Sequence, residues 1–172
     1  MEGSGTGLNK EIRGTKALTT CALLAALALI VSYIEFLLPL NLGVPGIKLG
    51  LANIVVVIAL YYLGPRCALI INVVRIVLAA LLFGSLFSGL YALAGGLVSL
   101  AVMVLLKKTG CFSITAVSMA GGAFHNLAQL CVAAVVASTT DIFLYLPVLF
   151  IAGIATGIFN GIVSNLVLRK LR

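Results

Sequence analysis

The sequence predicts an all-α membrane protein, a bundle of six transmembrane helices with both termini on the cytoplasmic side. Three observations carry this prediction. Of 172 residues, 63% are hydrophobic and only 9% charged, with a mean hydropathy of +1.29, well beyond the balance of a soluble domain. The apolar residues fall into six runs joined by short loops, and about 20 such residues carry a helix across a hydrocarbon core about 30 Å thick. With the amino terminus inside, Lys10, Arg13, Lys16, Arg66, Lys107, Lys108, Arg169, Lys170 and Arg172 all lie at the cytoplasmic face, as the positive-inside rule requires. Only Lys48 and Arg75 are left over.

The net charge of +7 does not point to nucleic acid, because the basic residues sit at the ends of apolar runs and form no extended solvated face. The basic start followed by an apolar run imitates a signal peptide, but that run is long and five more follow, so it reads as a retained first span of a multi-pass protein of the cytoplasmic membrane. Cys21, Cys67, Cys111 and Cys131 are dispersed without a C-x-x-C pair, which predicts neither disulfides nor a zinc site.

Residues 1–15 read as a flexible cytoplasmic N-terminus, and residues 16–172 as a single six-helix transmembrane domain. Span one runs from Lys16 to Leu38. Its Ala22 and Ala26 stand one above the other with Ala25 beside them, a small-residue pattern that lets another helix approach closely, within this bundle or from another subunit. Glu35 lies near its outer end, and Pro39 and Pro45 stiffen the short loop that follows. Span two, Ile47 to Leu63, follows Gly46 and opens with Lys48, Gly50 and Asn53. After the turn Gly64-Pro65-Arg66, span three (Arg66 to Phe83) carries Asn72 and Arg75 on one face. Arg75 lies ~13 Å beyond Arg66 at 1.5 Å per residue, near the bilayer midplane.

Span four, Leu90 to Leu106, is apolar but for Ser99 and reads as a structural wall. Span five, Ile114 to Ala137, carries His125, Asn126 and Gln129 on one face. An outer loop holds Asp141, the only aspartate. Span six begins at Pro147 and repeats Gly153, Gly157 and Gly161, with Asn160 on the same side, which predicts a close-packing seam.

Glu35, Lys48, Asn53, Asn72, Arg75, His125, Asn126 and Gln129 come from spans one, two, three and five and lie in the outer half or near the midplane. Ionisable groups inside a membrane mark functional sites by default. Two readings stand side by side. In one, Glu35 pairs with Lys48 or Arg75 and the amides fix the bundle. In the other, Arg75 and Lys48 hold an anionic group in a pocket open to the outside, while apolar walls hold a greasy body; one carboxylate cannot neutralise two cations, and an anionic ligand completes the balance. His125 is either a satisfied core histidine or a ligand to iron or phosphate. No G-x-x-x-x-G-K-[ST] loop is present, and one aspartate cannot build a cluster for magnesium diphosphate. The chain is therefore expected to be no enzyme.

The string Pro45-Gly-Ile-Lys-Leu-Gly-Leu-Ala-Asn53, followed by a helix ending Tyr61-Tyr-Leu-Gly64, resembles the Gx transporter family, often labelled heptaprenyl diphosphate synthase component I. Members are similar to substrate-binding S components of energy-coupling-factor (ECF) transporters. The resemblance covers nearly the whole chain from Lys16 onward. It implies a six-helix S-component-like bundle that docks on a transmembrane coupling subunit through an Ala-x-x-x-Ala pattern, matched here by Ala22 and Ala26. Two ABC ATPases would supply the energy. The label hints at an isoprenoid phosphate as ligand, with no cofactor. Haem, with His125 as axial ligand and the cations on the propionates, is an alternative, and a scaffold subunit of a prenyl-chain enzyme is another.

Overall fold

The computed structural model describes residues 15–37 and 50–171. Lys48, the loop from Pro39 to Gly46, the N-terminal tail and Arg172 lie outside the described residues. Among the described residues six α-helices follow one another: α1 (Thr15–Leu37), α2 (Ala52–Tyr62), α3 (Pro65–Leu82), α4 (Leu86–Thr109), α5 (Ile114–Ala137) and α6 (Leu146–Leu171), with a 3-10 turn (Asp141–Tyr145) leading into the last. No strand occurs among the described residues. In lipid only an element that satisfies its own backbone groups can span, so even the β-branched run Ile54-Val-Val-Val-Ile58 winds as helix.

Five of the six helices are long and apolar enough to cross a membrane, and the exception is α2. Its 11 residues reach about 16 Å at 1.5 Å per residue, roughly half the hydrocarbon core. The expected start of span two at Ile47 lies outside the described residues. Gly50 adopts φ +62°, the left-handed region that favours glycine, and the helix begins only at Ala52. A break in backbone regularity at membrane depth is tolerated where protein encloses it. Here it is enclosed: Ala52 and six of the next eight residues of α2 are buried.

The helices close into a ring. Helix α1 packs on α3, α3 on α4, α4 on α5 and α5 on α6, while α6 returns to α2, which also meets α1 and α3. Being apolar all round, α2 takes the enclosed place that such a helix requires. Its cytoplasm-facing end, on the sequence reading, is tied by Lys107, whose Nζ donates to the carbonyl of Leu60 at 2.6 Å and lies 4.7 Å from the centre of the Tyr61 ring. Lys107 therefore does more than orient the chain: it satisfies a last-turn carbonyl that the end of α2 leaves open.

The glycine stripe of α6 is the seam against α5. A Cβ on Gly157 would stand 2.6 Å from the carbonyl oxygen of Ser118, and one on Gly161 2.6 Å from the Cα of Thr115, while Gly153 faces Gly122 backbone to backbone. Only glycine lets the two helices come this near. Helix α4 starts four residues before its expected onset, because Ser85 and Ser88 form a capping box, each side chain bonding the other's backbone N–H, which satisfies two free donors of the first turn. At this same end of the bundle, Phe83 packs between Tyr33 and Phe36, with ring centroids 5.4 Å away in each case.

Candidate functional site

The site begins where α2 begins. Gly50 stands where three helices meet. Its N–H donates to the Glu35 carboxylate of α1, and its carbonyl accepts from the backbone N–H of Asn53 at 2.9 Å and from Asn160 Nδ2 of α6 at 3.0 Å. Each of these partners removes a penalty that a bare turn would carry in an apolar interior.

Arg75 of α3 is the second anchor. Its Nη2 donates to Asn72 Oδ1 at 2.9 Å and to Asn53 Oδ1 at 3.3 Å, and its Nη1 to Ser32 Oγ at 3.5 Å. All three acceptors are neutral oxygens, and the Glu35 carboxylate, which borders the same space, attracts the guanidinium at longer range. Its Nε is buried and has no partner among the described residues. Ser32 itself donates to the carbonyl of Ala28 at 2.9 Å, leaving a lone pair for the arginine. Asn72, 1% exposed, supports the arginine from behind and does not line the cavity.

Two adjacent spaces flank these anchors. The larger, of about 110 Å³, is lined by Glu35, Arg75, Ser32 and Ser88 together with the apolar Phe36, Ile76, Ala79, Ala80, Phe83 and Ala92. The smaller, of about 30 Å³, is lined by Ser99, Ser118, Asn126, Thr156 and Asn160, with Val57 and Met103 as its apolar part. Gly50, Asn53, His125 and Gln129 border both, so the two are lobes of one site. The outer lobe lies toward the Phe36 and Phe83 end and is mostly apolar. The inner lobe has more polar residues in its lining, Ser99, Ser118, Asn126, Thr156 and Asn160 among them.

Of the residues expected at a site, Glu35, Asn53, Arg75, His125 and Gln129 border the lobes. Lys48 falls outside the described residues. Asn126 borders the inner lobe, but its Nδ2 donates to the carbonyl of Leu149 at 2.7 Å, so its amide ties α5 to α6. Ala22 and Ala26 are exposed on α1, whereas Ala25 packs against the core cluster and does not share their outward face.

Span four is more than a wall. Gly95 and Gly96 of α4 make room for the site: a Cβ on Gly95 would meet Gln129 Cγ at 2.8 Å and the His125 carbonyl at 2.9 Å, and one on Gly96 would meet Asn72 Nδ2 at 2.8 Å. Ser99, one turn on, borders the inner lobe. Sequence reasoning also passed over Asn160 as a site residue, taking it as part of the glycine seam. The signal was available: it is an amide on the face of a span that small residues press against another helix, where it needs a polar partner.

The lobes together can hold a small group with polar and apolar ends. Arg75 offers positive charge, the amides and hydroxyls offer donors and acceptors, and the phenylalanines offer an apolar surface. No curated protein and no solved structure matches the chain significantly. Residues 24–167 match the family model described as heptaprenyl diphosphate synthase component I, and the chain belongs to that family.

Proposed function

We propose that this protein is the substrate-binding membrane subunit, or S component, of an ECF-type importer, and that it captures a small amphiphilic anion, an isoprenoid phosphate or a molecule like it, from the outer side. The observation that carries the reading is Arg75: a cation hydrogen-bonded to neutral oxygens, with the Glu35 carboxylate acting on it only at longer range, at the edge of a cavity of about 110 Å³. An anion there gains a charge-assisted bond, and the phenylalanines take its apolar part. The volume favours a small head group over a porphyrin. The chain is then no enzyme itself; a coupling subunit and two ABC ATPases drive release.

Ala22 and Ala26 support the docking half of the proposal. They are small, exposed and one turn apart on α1, a face on which a second helix can come close.

Protein purified from its own membranes tests the capture reading. Mass spectrometry of the extract is expected to find an anionic amphiphile with the wild type and to lose it with Arg75→Ala; identical extracts overturn the reading. Ala26→Leu is expected to abolish co-purification of a coupling subunit while the amphiphile is retained.

A second reading, a scaffold subunit of a prenyl-chain enzyme, draws on the family's description. It predicts co-purification with a soluble prenyl synthase and no dependence of ligand content on Arg75.

A further inference from the structure

Two buried polar atoms in the site have complementary demands. Arg75 Nε–H is a donor and Asn160 Oδ1 an acceptor, and neither has a partner among the described residues. Asn160 is 3% exposed, and its Nδ2 is already committed to the carbonyl of Gly50, which fixes the amide so that Oδ1 is the atom left over. A buried polar atom without a partner carries a free-energy cost that a group entering the site can relieve. The two residues border different lobes, Arg75 the outer and Asn160 the inner, and Asn53 and His125 border both.

The lobes differ in what they welcome. A hydrocarbon chain pushed into the inner lobe would cover the free Oδ1 of Asn160 and the Ser118 hydroxyl with methylenes, at a cost in unsatisfied polar groups. The outer lobe, with Phe36, Phe83 and the alanines of α3, holds it without that cost. The polar end of a ligand therefore points inward, past Arg75, and the apolar end lies toward the aromatic cluster.

We propose that the captured ligand carries a head group with both an anionic acceptor, held by Arg75, and a hydrogen-bond donor, a hydroxyl or an amine, received by Asn160 Oδ1. The ligand class is thus a hydroxy- or amino-substituted acid or phosphate with a short apolar tail, and a plain alkyl acid is a poor fit. The inference rests on the anion-capture reading above and goes beyond it in assigning Asn160 as the residue that selects among anions.

Matched probes separate the two. Octanoate and 2-hydroxyoctanoate share charge and chain and differ by one hydroxyl. Titrated into the detergent-solubilised full chain, 2-hydroxyoctanoate is expected to bind about tenfold or more tightly than octanoate, the discrimination typical of a site built around a polar group that the poorer ligand leaves unpaired. In Asn160→Leu the preference is expected to vanish. In Asn160→Asp, which also loses the tie to Gly50 but keeps an acceptor oxygen, it is expected to persist even as both affinities fall. Equal binding of the two probes to the wild type, a preference that survives Asn160→Leu, or one lost equally in both variants would overturn the assignment while leaving anion capture standing. Binding of neither probe would overturn both.

Discussion

Arg75 and Asn72 lie three residues apart on α3, and the guanidinium Nη2 donates to the amide oxygen at 2.9 Å. One turn of helix thus presents a cation and its neutral support on the same face. A carboxylate at position 72 would have neutralised Arg75 from within; an amide orients it and leaves the charge available for something else.

The arrangement predicts the effect of supplying that carboxylate. Asn72→Asp is isosteric and converts the support into an internal ion pair. Thermal unfolding in detergent is expected to show no loss of stability, while affinity for octyl phosphate falls at least about tenfold. Undiminished affinity would mean that the anion does not rely on Arg75.

The seam between α5 and α6 makes a prediction about folding alone. Because a Cβ on Gly157 would press on the Ser118 carbonyl and the Cα of Met119 at 2.6 and 2.7 Å, Gly157→Val forces the helices apart. Overpacking of this kind costs about 1–3 kcal/mol or more. Ala155→Val, on the exposed side of the same helix, is the control and is expected to leave the melting temperature unchanged.

Much of this was legible beforehand, and the failures share a cause. The glycine repeat of α6 reads directly as a seam because its i, i+4, i+8 spacing is local. The convergence of Glu35, Asn53, Arg75, His125 and Gln129 was legible because each is costly in lipid wherever it stands. The late start of α2 was not, since residues 47–63 form one apolar run and the break depends on Gly50 meeting partners 15 and 110 residues away. For the same reason Lys107 read only as a topology signal: its bond to Leu60 spans 47 residues. The glycines of α4 escaped notice because a space is defined by what fills it, and Gln129 and Asn72 come from other helices.

Lys107 offers a test of the short helix itself. Lys107→Met keeps the aliphatic stem but removes the bond to Leu60 and the cation above Tyr61. Stability is expected to fall by about 1 kcal/mol, the usual net worth of such a bond, with octyl phosphate affinity unchanged. A change in affinity instead would show that the C-terminal end of α2 communicates with the site at its start.

The most direct measurement is calorimetric titration of octyl phosphate into the wild type and Arg75→Gln. Glutamine can still bond the surrounding amides but carries no charge. Saturable binding by the wild type, weakened about tenfold to a hundredfold in the variant, is the expected result for a charge-assisted contact. Equal affinity in the two proteins would contradict an anion site at Arg75.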